Sequence, residues 1–167
     1  IHPFRDGNGR TGRILMVLQL VQSGLLSMPV LYISGYINNN RPDYYAYLLA
    51  VTIDGKWNDY IQYMLQGFFQ QAQATHHSLV EILKLHHAYK GKIRDELPKI
   101  YSAELVDALF TFPILSPTRL ATALNMHYTT TSRYLTQLTE RGILKEAVVG
   151  KYHLFANHRL MEILERG

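Results

Sequence analysis

The sequence predicts a mainly α-helical protein in two parts, the second of which closes on a short β-hairpin. Three observations carry this prediction. Apolar positions recur at helical spacing along most of the chain. The rhythm changes after about residue 100, where helix start and stop signals crowd together. Near the carboxy terminus two short apolar runs flank a glycine turn.

Taken in order, the stretch from Ile1 to Gly12 is rich in glycine and polar residues, and Arg13 to Val21 reads as an apolar helix that stops around Gly24. Pro29 breaks the next segment, leaving Val30 to Gly35 as a short strand or extended connection before Tyr36 to Pro42, an irregular stretch with a helical turn. A helix follows from Asp43 behind Pro42, with Tyr44, Tyr47, Leu48, Val51 and Ile53 at approximate helical spacing, and Asp54-Gly55 ends it. Trp57 to Gln71 is a further amphipathic helix. His76 to Lys90 is a connecting helix with Leu79, Ile82, Leu83 and Leu85 on one face. Beyond it come helices over Ser102 to Phe110, Arg119 to Leu124 (started by Ser116-Pro117-Thr118) and Thr129 to Arg141. Strands over Ile143 to Val149 and Lys151 to Phe155 surround Gly150, and a last helix spans His158 to Leu164. Three helices and a β-wing describe a winged helix-turn-helix. The expected organisation is a first domain over 1–75, a connecting helix over 76–100 and a winged domain over 101–167.

A length of 167 residues admits one domain or two small ones, and 47% apolar against 18% charged residues is an ordinary globular balance. The formal charge of +4 suits anionic partners such as nucleotides or nucleic acid without requiring them. Cysteine is absent, which excludes disulfides, thiolate metal sites and cysteine nucleophiles and is compatible with a reducing compartment. No apolar run is long enough to cross a bilayer, so a soluble, cytoplasmic protein with no membrane partner is expected. The chain opens on Ile1, with no signal segment before its first motif, and is expected to be part of a longer protein.

The segment that carries chemistry is His2-Pro3-Phe4-Arg5-Asp6-Gly7-Asn8-Gly9-Arg10-Thr11-Gly12-Arg13. Glycines at 7, 9 and 12 permit positive φ and close backbone approach, so successive amides can converge on an anion where the helix dipole favours negative charge. Arg10 and Arg13, three apart, present neighbouring guanidinium forks suited to a polyphosphate. Asp6 is a hard oxygen ligand for Mg²⁺ (or Mn²⁺). His2 is the one side chain here that takes a proton near neutral pH, and so is the natural general base. Two plainer readings stand beside these. Asp-Gly and Asn-Gly pairs also make hairpin turns, although the apolar run that follows reads as helix. A lone histidine is more often structural. Phe4 is expected to anchor the loop in the core.

The dodecapeptide resembles the signature of the Fic family, His-Pro-Phe-x-Asp/Glu-Gly-Asn-Gly-Arg-x-x-Arg, at every specified position. The resemblance covers roughly residues 1–75 and implies the back part of an all-helical Fic core. It further implies a protein adenylyltransferase (AMPylator), moving AMP from ATP to a Ser, Thr or Tyr hydroxyl of a target protein, itself included, with release of pyrophosphate. His2 would be the catalytic base and Asp6 the metal ligand. Gly7, Asn8, Gly9, Arg10, Thr11, Gly12 and Arg13 would line the nucleotide, with the amides of Gly7 to Gly9 and Asn8 on the α- and β-phosphates, Arg10 at the β-phosphate and Arg13 at the γ-phosphate. Tyr44 and Tyr45 sit where family members carry an aromatic pair near the adenine; packing of two tyrosines into the core is the equal alternative. Gly9, where the kinase-like Doc branch carries lysine, favours AMP transfer. UTP and CDP-choline as donors stay open, as does a homodimer.

The nearest match to the family's inhibitory pattern, Thr136 to Glu140, has Arg141 where glycine or asparagine is expected, and it fits the third helix of the winged part better. Leu115 to Phe155 resembles the winged helix found behind many bacterial Fic cores. There Thr129, Thr130, Thr131, Ser132, Arg133 and Tyr134 are candidates for contact with a DNA groove, with Lys145 or Lys151 on the wing. Packing on the core or recruitment of protein targets is an equal reading of that module. A regulator that binds DNA and only senses nucleotide is the rival from another class.

Overall fold

Backbone freedom at Gly7 starts the first helix. The computed structural model describes residues 3–150 and 152–166. Gly7, at φ 82°, turns the chain into α1 (Asn8–Gln22), and Gly24, at φ 75°, ends it, with the amides of Leu25 and Leu26 both donating to the Leu20 carbonyl. The helix thus begins at Asn8 rather than at Arg13. Gly9 and Gly12 have no positive φ and lie inside it. Glycine and asparagine disfavour helix interiors, which is why the segment reads as loop. The helix forms over them because Asn8 closes a local ring onto the Phe4 backbone, described below.

After Pro29 the expected strand or extended connection gives way to α2 (Ile33–Asn39), in which Ile33, Tyr36 and Ile37 are buried. Their i, i+3, i+4 spacing makes one apolar face, and every strand of the sheet lies later in the chain, so a helix is the form that satisfies this backbone. α3 (Arg41–Asp54) has Pro42 in its first turn and ends at Gly55, φ 66°. α4 (Trp57–Glu96) runs through both helices expected from the sequence. The intervening Ala72-Gln73-Ala74-Thr75 contains neither glycine nor proline, so nothing interrupts the hydrogen-bond ladder.

The chain divides within α4 into two compact units, 1–77 and 78–167. The core of the first gathers Val17, Ile33, Tyr36, Ile37, Tyr63 and Met64, with Tyr44, Tyr47 and Tyr60 packed against it. Tyr47 and Tyr63 lie 5.0 Å apart between ring centroids, Tyr36 and Tyr63 5.2 Å, spacings that favour tilted aromatic pairs. Gly67 on α4 makes the approach of α2 feasible, since a Cβ there would lie 2.5 Å from Tyr36 Cδ1.

The second unit follows with α5 (Ala103–Thr111), β1 (Ile114–Leu115), α6 (Pro117–Leu124), α7 (Tyr128–Glu140), β2 (Lys145–Val149), β3 (Tyr152–Ala156) and α8 (His158–Arg166). Ser102 and Ser116 cap α5 and α6, each accepting from the amide three residues on. The sheet has the order β1-β3-β2, antiparallel throughout, with Lys145 opposite Ala156 and Val149 opposite Tyr152 around Gly150 at φ 60°. β1, at two residues, is too short to show alternation and was not expected. The core holds Tyr89, Ile93, Leu105, Leu109, Leu120, Leu135 and Phe155 among others. Leu79 and Leu83, expected on a buried face, are instead exposed, because the inward side of α4 in this unit is set by Tyr89 and Ile93. Helices α5 to α7 and the β2–β3 wing make this unit a winged helix-turn-helix, so the protein is mainly α with a small β-wing.

Candidate functional site

At the start of α1, Thr11 makes the first helical bond, its amide donating to the Gly7 carbonyl at 2.9 Å. The amides of Asn8, Gly9 and Arg10 precede that bond and have no acceptor within the helix, and among the described residues no side chain caps this end. They lie where the helix dipole is positive, a setting that favours negative charge. Asn8 gives its amide only. Its side chain is used on the loop, Oδ1 accepting from Phe4 N at 3.0 Å and Nδ2 donating to Phe4 O at 2.7 Å. Phe4 is held through this backbone bridge and not by burial: its ring is 54% exposed, contrary to the anchoring role expected of it.

Asp6 accepts from Gly7 N at 2.6 Å and from Arg10 Nη2 at 3.2 Å, so the Gly7 amide is already engaged within the loop. The Asp6–Arg10 pair is open to solvent on both sides and therefore weakly held. Arg13 is fixed differently, Nε donating to Ser34 Oγ on α2 at 3.1 Å. Its Nη1 lies over the first turn, 3.3 Å from where a Cβ on Gly9 would be. Any larger residue at position 9 would press on that guanidinium. Thr11 Oγ1 donates back to the Gly7 carbonyl at 3.1 Å, and Gly12 lies on open surface. His2 falls outside the described residues, as does Lys151.

The structure thus brings Asp6, Gly7, Asn8, Gly9, Arg10 and Arg13 together on one helix end, and sets the two tyrosines apart in character. Tyr44 and Tyr45 are consecutive on α3, their rings 5.5 Å apart. Tyr44 packs against the core of the first unit, whereas Tyr45 is 56% exposed with Arg41 over its ring at 6.0 Å. Among the described residues, no hydrogen bond, ion pair or ring contact joins either to the α1 end. Ser34 gave no signal in the sequence, because its partner is 21 positions away and the segment read as extended.

On the winged unit, Thr131 is fully buried. Its hydroxyl donates to Pro117 O at 2.9 Å and approaches Tyr128 O at 3.0 Å, tying α7 to α6. It is therefore removed from the set of groove-contacting candidates. Thr129, whose Oγ1 lies 3.0 Å from His127 Nδ1, is exposed with Arg133 and Lys145, and Thr130, Ser132 and Tyr134 are partly covered. Thr136 and Glu140 both lie within α7, Thr136 between buried Leu135 and Leu138 and Glu140 at the helix's last position.

A glycine-started helix with two arginines near its first turn, ahead of a winged helix-turn-helix, defines the class: a helical unit bearing a glycine-arginine signature with an appended winged module. Comparison with known families matches residues 1–20 to the Fic/DOC family and residues 85–160 to the C-terminal domain of SoFic-like protein adenylyltransferases. The two matches are consistent with a C-terminal part of a Fic-family protein, with a SoFic-like C-terminal domain behind the signature.

Proposed function

We propose that this chain carries the nucleotide-binding end of a protein adenylyltransferase that moves AMP from ATP onto a Ser, Thr or Tyr hydroxyl of a protein. The observation that carries the reading is the end of α1, where Gly7 opens the helix, three amides lack helical acceptors and Arg13 lies over the first turn. This is geometry for a row of phosphates rather than a single ion.

In the proposed reaction His2 takes the proton of the target hydroxyl, whose oxygen attacks the α-phosphorus. The new P–O bond forms as the bond from the α-phosphorus to the bridging oxygen breaks, and the electron pair leaves on pyrophosphate. The first-turn amides hold the equatorial oxygens, on which negative charge is carried through the transition state. Arg10 exchanges Asp6 for the β-phosphate, and Arg13 holds the γ-phosphate. Asp6, an open carboxylate, fits a Mg²⁺ ion, since Mg²⁺ is typically held by one or two carboxylates together with substrate phosphates and water. When bound, that ion supplies charge neutralisation on the phosphates. Tyr45 is the exposed ring available to an adenine. Tyr44 supports it from the core.

The test is transfer of label from α-³²P ATP to protein by the full-length protein with Mg²⁺, using self-labelling as a first readout. Transfer that disappears in His2→Ala is the expected result. Retention of activity in that variant, or transfer of the γ- but not the α-label, overturns the reading.

A further inference from the structure

We propose that Ser34 is a positioning residue for the triphosphate, holding Arg13 in the orientation in which it reads the terminal phosphate. This rests on the adenylyltransferase reading above and goes beyond it, because it assigns part of the site to a second element, α2, outside the signature.

Arginine is a long side chain whose rotamer freedom must be surrendered on binding an anion. Here that freedom is already restricted. Nε donates to Ser34 Oγ at 3.1 Å, and the guanidinium is part-buried at the mouth of a cleft of about 390 Å³ whose other walls include Ile14, Val17, Leu31 and Ile33. Tyr32 also lines the cleft, but among the described residues Ser34 Oγ is the acceptor that the Arg13 side chain engages, so Ser34 is the polar group that decides which way the fork faces. Using Nε for the tether leaves Nη1 and Nη2, with Nη1 over Gly9 in the first turn. Those two nitrogens supply the parallel donors that a terminal phosphate takes. Arg10 contrasts with it, paired to open Asp6 and free to swing.

Ser34 itself is held in place. It is the second residue of α2, between Ile33, which is 2% exposed, and Gly35, where a Cβ would press to 2.9 Å against the Tyr32 ring. The hydroxyl is therefore presented by a packed turn and not by a free loop, and the tether transmits the position of α2 to the phosphate end of α1.

The experiment measures affinities of the full-length protein for ATP, ADP and AMP with Mg²⁺ by titration calorimetry, in wild type, Ser34→Ala and Ser34→Thr. Loss of one hydrogen bond to a charged group at a half-covered site predicts about three- to tenfold weaker ATP binding in Ser34→Ala. ADP and AMP are expected unchanged, and Ser34→Thr is expected to restore ATP. Equal loss for all three nucleotides would mark Ser34 as merely structural, and unchanged ATP affinity would also overturn the proposal. If wild type binds none of the three, the nucleotide reading itself fails. If wild type binds ATP no better than ADP, the assignment of Arg13 to the terminal phosphate fails.

Discussion

Thr131 shows how little a residue's type says about its use. In a run of Thr129-Thr130-Thr131-Ser132, four small hydroxyls look interchangeable, yet only the third reaches Pro117 O and is fully buried. Thr131→Val keeps the shape and removes the donor, leaving a buried carbonyl without its partner. A loss of about 1–3 kcal/mol in urea unfolding of the winged unit is expected. Thr129→Val, at an exposed position, should stay within about 0.5 kcal/mol of wild type. Similar losses in both variants would show that the α6–α7 tie is not made by Thr131. The signature could be singled out for a different reason: its residues are local in sequence, so Asp6, Arg10 and Arg13 stood out as candidates from residue type and spacing, and the structure gathers them at the α1 end. The partners that fix these residues were not legible. Asn8 reaching back to Phe4 and Ser34 reaching Arg13 depend on where the backbone goes.

Elements were read well where punctuation exists. Gly24, Gly55, Ser102 and Ser116 each mark a real helix end. Misreadings fell where intrinsic preference and tertiary setting disagree: α1 begins over glycines, and α2 forms soon after Pro29, where a strand or extended connection was expected. Among α2, α3 and α4 the tyrosines form the element-scale unit of stability. Burial, with the neighbouring Tyr44 phenol adding to it, pushes the Tyr60 phenol up to about 12, and burial together with Tyr36 and Asp43 does the same for Tyr63. Both groups bind their protons more tightly in the folded chain than at the ordinary value near 10. Their contribution to stability is therefore complete below pH 10 and is lost as pH rises toward 12. In a titration followed by phenolate absorbance, Tyr60→Phe and Tyr63→Phe should each remove one late-titrating group. Wild type should lose the first unit's structure between pH 10 and 12. Titration of all tyrosines near 10 with the fold intact would refute this.

At the scale of the whole chain the two units are built to different depths. Among the described residues, the winged unit buries a cluster of fourteen side chains and the first unit one of six. α3 contributes no fully buried residue, and Ile14, Leu15, Leu49 and Ile53 are each more than half exposed. Apolar area removed from water is the main favourable term in folding, at about 25 cal/mol per Å². The first unit, which carries the proposed nucleotide site, should therefore open at lower free energy than the winged unit, because local opening follows the number of buried apolar side chains rather than helix content. Native-state hydrogen exchange of this chain should show amides of α1 and α3 exchanging through openings well below those of α5 to α7. Saturating Mg-ATP should then slow exchange at the α1 end, since a ligand that binds only the closed form adds RT ln(1 + [L]/Kd) to its stability. Equal protection in the two units without nucleotide would mean that the six-residue core is supplemented by packing that the burial pattern does not register. Nucleotide protection confined to α5 to α7 would move the binding site off α1 altogether.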